Sequence, residues 1–397
     1  MIIGIIGGGA AGMAAAIEAS GDSQNRVILF ERQARVGRKL QATGNGRCNL
    51  TNLFAAIEHY HGQQAEFVRY ALEQFGVENT LSWFKDLGLF TVSEDSGRVY
   101  PYSDQANSVV DVLRFAMERD NITVYTGVEI KKIKKQNDGF CIEADEQQEY
   151  CDRLIIACGG LAGTKLGGTM SGYKLLAKFG HKCTKLRPAL VQLKSNWGAL
   201  ASLKGVRANC SIQILNDDVV HSQSAGELQF TEYGLSGPVI FEVSRDVCAV
   251  PGDWGAQIDF RPHVSEQELA EELYRRVKRA VPVSDVLTGM LHNRLGRVLA
   301  AAAGISNSFE EHHIPELCEK IKNFRISLTE PMGMDSAQVT AGGVLTEQFD
   351  PQTMESKLTP GLYACGEVLD IDGDCGGYNL QWAWSSGRLA GRSAGKE

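Results

Sequence analysis

The sequence predicts an α/β fold in which a parallel sheet is interrupted by a β-rich insertion and a small helical segment. Three observations predict this class. At residues 1–19 a short apolar strand runs straight into a glycine-rich turn and an alanine-rich helix. Two more apolar strands end in glycine far along the chain, at 154–160 and 361–367. Between them, residues 188–323 carry short β-like runs followed by three helical stretches.

The first element is a strand–turn–helix unit with the spacing GxGxxG. Residues 1–6 have the pattern of a buried strand, and the helix is expected over residues 13–19. Gly7 permits a tight turn, Gly9 leaves room for a pyrophosphate, and Gly12 lets the helix pack closely on the sheet. The unpaired N–H groups at the start of the helix would then face the phosphates. This order of elements predicts a dinucleotide site.

A second strand over residues 27–30 ends at Glu31. The carboxylate stands about 20 residues beyond the glycines, which is the usual spacing for a group that binds the ribose hydroxyls. It would repel a 2′-phosphate. The site is therefore expected to take FAD or NAD and not NADP.

Two distant segments favour FAD over NAD. FAD is long and needs contacts along its whole length, whereas a compact NAD-binding domain is complete early in the chain. One apolar strand ends in Gly159, and another ends in Gly366 followed by Glu367, a carboxylate suited to the ribityl or pyrophosphate region. The run 376–381 precedes a helix expected from about Trp382. Backbone N–H groups of that run could stabilise negative charge on a reduced flavin.

The segments between these motifs have simpler patterns. Helical periodicity appears over residues 63–87 and 104–120. Residues 122–157 alternate as a β-meander with a hairpin at Asp138-Gly139. The lysine-rich run 131–135 is expected to be a solvated strand face and not an RNA site.

The middle of the chain predicts an insertion into the nucleotide-binding fold. Residues 188–261 show short β-like runs separated by Gly, Asn and Asp, as a barrel or sandwich requires. A capping box begins at Ser265 and opens the helical stretches. We predict a nucleotide-binding domain at 1–187 and 338–397, a β domain at 188–261 and 324–337, and a helical domain at 262–323.

Composition excludes several classes of protein. The net charge is −8, from 40 Lys and Arg against 48 Asp and Glu, which disfavours a broad nucleic-acid or anionic-membrane surface. The 10 cysteines form no CxxC pair. No secretory leader is recognisable and no apolar run is long enough to cross a membrane. These features predict a cytoplasmic protein that binds neither nucleic acid nor membrane.

Several motifs are distributed over nearly the whole chain. They are GRKL at 37–40, TGNGRCNLTN at 43–52, GRVYP at 97–101, VTAGGV at 339–344, GEVLD at 366–370 and GGYNLQWAW at 376–384. In these motifs the chain resembles the BaiN/YhiN-type NAD(P)/FAD-dependent oxidoreductases, a family of flavoproteins with two dinucleotide-binding domains. The resemblance implies a Rossmann-like, glutathione-reductase-like FAD domain with an inserted β-barrel and a small helical domain. It also implies that Thr43, Gly44, Asn45 and Arg47 lie along the flavin.

The predicted cofactor is noncovalent FAD, with NAD(P)H as a possible electron donor. The residues predicted to bind FAD are Gly7, Gly9, Ala11, Gly12, Glu31, Arg32, Lys39, Thr43, Gly44, Asn45, Arg47, Cys48, Val128, Gly159, Gly366, Glu367, Gly376, Gly377, Asn379 and Leu380.

The sequence identifies no certain catalytic acid or base. Cys48 has no partner at the CxxxxC spacing of a flavin-linked dithiol, so it is expected to be an inert thiol. No second GxGxxG follows a strand, and the eight histidines show no metal-ligand spacing. Arg98, Tyr100 and Tyr378 are candidates for orienting substrate or donating a proton.

Three functions remain open from the sequence. The first is an FAD-dependent oxidoreductase that passes hydride from NAD(P)H through flavin N5 to an activated double bond of a small organic substrate. The second is an FAD oxidase or dehydrogenase of a small amine or alcohol. The third is a flavin-bearing RNA-binding module without turnover, which the negative net charge disfavours.

Overall fold

A computed structural model describes residues 1–144 and 147–396. Contacts divide the chain into two compact units. Unit 1 combines residues 1–187 with the segment from residue 338 onward, and unit 2 is formed by Pro188–Ala337. The finer division of the insertion into a β domain and a helical domain stays a prediction.

In its described residues, the part of unit 1 before residue 187 contains eleven strands and six α-helices. The strands are β1 (Ile2–Ile6), β2 (Arg26–Glu31), β3 (Thr51–Asn52), β4 (Tyr60–His61), β5 (Thr91–Ser93), β6 (Arg98–Pro101), β7 (Ile122–Thr126), β8 (Lys132–Gln136), β9 (Gly139–Ala144), β10 (Gln147–Cys151) and β11 (Arg153–Ile156). The helices are α1 (Ala10–Ala19), α2 (Arg38–Ala42), α3 (Arg69–Gln74), α4 (Val77–Asp86), α5 (Ala106–Ala116) and α6 (Ser171–Ala177).

The chain then passes through unit 2 and returns. The elements from residue 187 to 327 are β12 (Arg187–Ala189), β13 (Leu193–Lys194), α7 (Leu200–Leu203), β14 (Arg207–Asn216), β15 (Val219–Phe230), β16 (Gly234–Ser236), α8 (Pro238–Ala249), β17 (Trp254–Asp259), α9 (Glu266–Lys278), α10 (Asn293–Ala302), α11 (Ile314–Lys322) and β18 (Phe324–Ser327). The returning segment contains β19 (Val339–Ala341), β20 (Leu362–Ala364), β21 (Asp372–Gly373) and α12 (Tyr378–Ala394).

The centre of unit 1 is a parallel sheet in the order β20–β11–β1–β2–β7. Ile5 of β1 is paired with Ile155 on one side and Leu29 on the other, and all three side chains are fully buried. Such a sheet needs cover on both faces, which explains the continuous apolar character of these strands. The carboxyl ends of parallel strands meet at one edge, where ligands of open α/β sheets bind. The predicted α/β class is confirmed.

Helices α1 and α12 pack unusually closely because of glycine. A Cβ added to Gly387 of α12 would overlap the carbonyl oxygen of Ala11, and one added to Gly391 would overlap that of Ala15. Close approach brings the last helix of the chain against the helix of the first motif. The amino-terminal and carboxy-terminal segments of unit 1 therefore share one core.

Several predicted element boundaries were wrong. Helix α1 begins at Ala10 and not at residue 13, and α12 begins at Tyr378 and not near Trp382. The second difference arises because Gly376 and Gly377 adopt φ values of 130° and 105°, so the turn is completed before Tyr378. Residues 378–381, the last four of the run 376–381 that was expected to precede the helix, are thus helical.

Unit 2 contains an antiparallel sheet in the order β13–β16–β15–β14–β17–β18. Backbone hydrogen bonds of 2.9 Å join Lys194 of β13 to Glu330 and to Thr329, which follow β18 directly. The sheet therefore closes on itself as the barrel that the family resemblance implies, whereas the residue pattern alone was compatible with a barrel or a sandwich. Helices α9, α10 and α11 follow, and the capping box at Ser265 is confirmed.

Helix α8 was missed within the predicted β region. Its sequence is rich in Val, Ile and Phe, which is typical of strands. Its buried residues Val239, Ile240, Val243 and Val247 nevertheless share one helical face, and Pro238 occupies the first turn, where proline is favoured. Among the described residues, no helix is both long and apolar enough to span a bilayer.

Candidate functional site

In the glycine-rich turn after β1, Gly7 and Gly12 are closely packed, whereas Gly9 faces open space. A Cβ added to Gly7 would overlap the carbonyl oxygen of Ala157, and one added to Gly12 would overlap that of Gly7. A Cβ on Gly9, in contrast, would meet no atom within 4 Å. Gly9 is the residue before α1, whose first N–H groups have no intrahelical partner. This opening is shaped and polarised for an anion such as a phosphate.

Glu31 at the end of β2 is held firmly beside this turn. Its carboxylate accepts hydrogen bonds from the backbone N–H of Gly8 at 2.7 Å and of Gln33 at 2.6 Å. Val128 donates its N–H to the carbonyl oxygen of Glu31 at 3.0 Å, and the Arg32 guanidinium donates to a loop carbonyl at residue 167. Glu31, Arg32 and Val128 are thus brought together at the carboxyl edge of the sheet.

A partly buried ion pair lies at the ends of the other central strands. Lys39 of α2 contacts Glu367 at 2.8 Å, and the second oxygen of Glu367 accepts the N–H of Thr340 at 2.8 Å. Gly159, after β11, lies 4.0 Å from Glu367 as measured from its Cβ position. A Cβ on Gly366 would come within 2.9 Å of the Ala11 side chain, which places these groups beside the start of α1.

The TGNGRCNLTN segment contacts strand β6. Gly44 and Asn45 both have φ near the left-handed helical value, at 57° and 56°. Thr43, just before them, donates its hydroxyl to the carbonyl of residue 40 at 2.7 Å. Arg47 lies 3.9 Å from the centre of the Tyr100 ring and pairs with Asp104 and Glu94. Arg47 therefore has protein partners already, and its charge is directed toward them.

The same segment also packs against the turn that precedes α12. Asn52 donates its amide to the carbonyl of Gly376 at 2.9 Å, and a Cβ on Gly377 would overlap the carbonyl oxygen of Thr51. Asn379 bonds both the N–H and the carbonyl of Gly373, at 2.8 and 2.7 Å. Leu380, in the first turn of α12, packs against the core of unit 1. These contacts bring the predicted flavin-side segments 43–52 and 376–380 together around the start of α12. We call them the flavin-side group.

Arg98 and Tyr100 of β6 border the flavin-side group. The Arg98 Nε atom lies 3.4 Å from the Cβ position of Gly376. Within residues 1–144 and 147–396, no hydrogen bond or ion pair engages the Arg98 guanidinium. Burial raises the pKa of Tyr100, so its phenol stays protonated near neutral pH. The site therefore combines a cation that is not neutralised by a carboxylate with a protonated hydroxyl.

Tyr378 belongs to a cluster that the sequence analysis missed. Its ring stacks on His59 with centroids 4.4 Å apart. Asp374 accepts hydrogen bonds from His59 at 3.0 Å and His61 at 2.6 Å. Burial alone would raise the pKa of Asp374, but these two bonds lower it. The spacing of His59 and His61, two residues apart, was a usable signal that both side chains lie on one side of the chain, although only His61 belongs to β4; nothing local pointed to Asp374.

Cys48 is buried within the TGNGRCNLTN segment at 43–52. It is fully shielded from solvent, and burial raises the pKa of its thiol to about 12. The thiolate is the reactive form of cysteine, and the raised pKa keeps the Cys48 thiol protonated near neutral pH.

We expect iodoacetamide to leave Cys48 unmodified in the native protein at about pH 8, where a normal thiol ionises appreciably. After unfolding, Cys48 should react fully. Mass spectrometry of the peptide that contains Cys48 measures both states. Rapid labelling of the native protein would contradict the buried, protonated thiol.

The comparisons with known proteins agree with this geometry. Residues 1–393 match the family model described as the HI0933-like protein Rossmann domain. A 3-dehydro-bile acid delta(4,6)-reductase of Clostridium scindens is 40% identical, and the match covers 99% of this chain and 98% of the relative. A ribosomal RNA dihydrouridine synthase of Escherichia coli is 32% identical over 96% of this chain and 95% of the relative.

A solved structure shares the overall fold. The 3-ketosteroid delta1-dehydrogenase of Sterolibacterium denitrificans aligns over 99% of both chains with a TM-score of 0.52 and 10% sequence identity. The family match spans both units, and the relatives align along nearly their whole lengths. The chain belongs to the HI0933-like Rossmann family and is an FAD-dependent oxidoreductase.

Proposed function

We propose that this protein is a reductase that adds hydrogen to a carbon–carbon double bond conjugated with a carbonyl group, with NAD(P)H as the electron donor. The observation that carries the proposal is the Arg98 guanidinium, which lies beside the turn before α12 without a carboxylate partner in the described ranges. Reduction of a conjugated carbonyl compound builds negative charge on its oxygen. A positioned cation stabilises such charge.

The residues present fit an FAD molecule. The open space at Gly9 and the free N–H groups of α1 suit the pyrophosphate, and the fixed carboxylate of Glu31 suits ribose hydroxyls. We assign the pair Lys39 and Glu367 to the region between pyrophosphate and ribityl chain. The remaining predicted residues of the 43–48 and 376–380 segments would lie along the flavin. When bound, FAD supplies hydride transfer at its N5 atom.

The protein's own groups have distinct tasks in this proposal. Arg98 would bind and polarise the substrate carbonyl oxygen, and Tyr100 would supply a neutral hydrogen-bond donor because its phenol stays protonated. The backbone N–H groups at the start of α12 would stabilise negative charge at the pyrimidine edge of the cofactor. Tyr378, stacked on His59, would fix the position of that helix start.

The names of the two relatives support this substrate class. A delta(4,6)-reductase of a 3-dehydro-bile acid acts on double bonds conjugated with a ketone, and dihydrouridine formation saturates the double bond next to a uracil carbonyl. Both reactions place charge on a carbonyl oxygen. The higher identity and coverage of the bile acid reductase favour a small organic substrate here.

Anaerobic titration with NADH and then NADPH tests the proposal. We expect one nucleotide to bleach the flavin absorption band, and an unsaturated 3-oxo steroid to restore it with stoichiometric loss of the conjugated double bond. A band that resists both nucleotides but is bleached by an amine or alcohol, with peroxide formed in air, would establish the oxidase alternative instead.

Uridine in RNA is the second candidate substrate, because a 32% identical relative carries that activity in its name. Ribosomal RNA added to the reduced protein separates it from the first candidate. Reoxidation with formation of dihydrouridine would establish this substrate. RNA binding without reoxidation would instead indicate a binding module.

A further inference from the structure

Unit 2 contains a pocket that the proposed reductase site does not use. The pocket has a volume of about 820 Å³, which is within the range of small-molecule sites. All of its lining residues belong to unit 2, and they come from three places: the start of β14 with its β15 neighbours, the loop 260–264, and the loop 289–292 before α10.

The charge of the lining is one-sided. Arg207, Arg261, His263 and His292 line the pocket, and no Asp or Glu is among the lining residues. Arg207 has a partner nearby in Glu227 at 3.3 Å, but both side chains of that pair are exposed, so the attraction is weak. The pocket therefore presents a surplus of positive charge.

Hydrogen bonds fix the position of Arg261, one of the basic residues that line the pocket. Arg261 donates one N–H to the carbonyl of Met290 at 2.9 Å, which ties two wall loops together and leaves further donors of its guanidinium. Lys322 donates to the carbonyl oxygens of Arg261 and Val264, at 2.9 and 2.7 Å, and its charge is balanced by Asp259. The position of Arg261 is thus set by the fold.

His292 adds a hydrogen-bond donor, its Nε2–H group, to the pocket lining. Its Nδ1 atom accepts the backbone N–H of Arg294 at 3.2 Å at the start of α10. The proton of the neutral ring must then be on Nε2, so His292 can donate a hydrogen bond even when uncharged. The start of the ten-residue helix α10 adds positive potential on the same side.

The rest of the lining is apolar. Phe260 and Cys210 are buried beneath the pocket floor, and Val264, Met290 and Leu291 flank it. A bare inorganic anion would leave this surface unused. We propose that the pocket binds an amphipathic organic anion, with a carboxylate or phosphate group on the arginines and histidines and an apolar ring system against the floor.

Isothermal titration calorimetry of the full-length, FAD-saturated protein tests the proposal. The probes are cholate, a carboxylate on an apolar ring system, and adenosine 5′-monophosphate, a phosphate on a purine. Methyl cholate and adenosine are their uncharged counterparts. We expect at least one anion to bind, its uncharged counterpart to bind much more weakly, and the preferred anion to identify the head group.

Variants locate the binding. The exposed pair Arg207→Gln with His263→Gln should weaken binding on the order of tenfold. The matched control pair is Arg325→Gln with His312→Gln, because both residues are exposed in unit 2, Arg325 has an acidic partner as Arg207 does, and neither lines the pocket. The control should bind as the unmodified protein does.

Several results would overturn the proposal: no binding of either anion at millimolar concentration, equal binding of the uncharged counterparts, or equal loss in the control pair. Loss of binding in Arg98→Gln with retention in the pocket variant would place the probe in unit 1 and also overturn it. The calorimetry does not depend on turnover, so failure of the proposed reductase activity leaves this test intact.

Discussion

Replacement of Gly9 by valine is expected to leave the protein folded while removing most of its affinity for FAD. Gly9 has φ −81° and ψ −169°, an extended conformation that valine adopts without strain. Its Cβ direction is open, so the valine side chain would displace only what binds there. We expect FAD affinity to fall by about 100-fold or more, which corresponds to roughly 3 kcal/mol. Titration of apoprotein with FAD, followed by flavin fluorescence, measures the change.

Gly12→Ala provides the contrasting control. Its Cβ would overlap the carbonyl oxygen of Gly7 within the strand–turn–helix unit itself. This variant should lower the melting temperature of the apoprotein, whereas Gly9→Val should leave it close to that of the unmodified protein. Unchanged FAD affinity in Gly9→Val would rule out the pyrophosphate position assigned to Gly9.

Arg98→Gln is expected to slow substrate reduction by about 100- to 1000-fold, because removal of one group that stabilises a developing oxyanion has effects of this size. The glutamine keeps hydrogen-bonding capacity but lacks the charge. Flavin content should not change, since Arg98 is assigned to the substrate. Rapid mixing of reduced protein with an unsaturated 3-oxo substrate measures reoxidation of the flavin directly.

Two further variants sharpen this test. Arg98→Lys keeps the charge and should recover part of the lost rate, although it lacks the planar guanidinium geometry. Arg69→Gln removes an exposed arginine that pairs with Glu66, three residues before it in the chain, and should have the normal rate. Reoxidation in Arg98→Gln as fast as in Arg69→Gln would exclude Arg98 from the reaction.

The local motifs could be predicted because their physical requirements lie within a few consecutive residues. Gly7 is required locally by its φ of 112°, Gly12 is required by the overlap that a Cβ would make with the carbonyl oxygen of Gly7, and Glu31 follows from the end of the next strand. The parallel sheet could be inferred from apolar strands with glycine at their ends. Boundaries were less well determined, as α12 shows, because the conformation of Gly376 and Gly377 depends on the packing of residues 51–52 beside them.

Tertiary structure alone decided how the parts of the site meet. Arg98 and Gly376 are adjacent although they are far apart in the chain, and Asp374 lies between His59 and His61 for the same reason. The pocket of unit 2 likewise joins three separate loops. Hydrophobic periodicity indicates only whether a residue lies on the buried or the exposed face of its own helix or strand. The sequence by itself determined the fold class, the glycine-rich strand–turn–helix unit and the family, whereas the pairing of distant charged groups required the three-dimensional path of the chain.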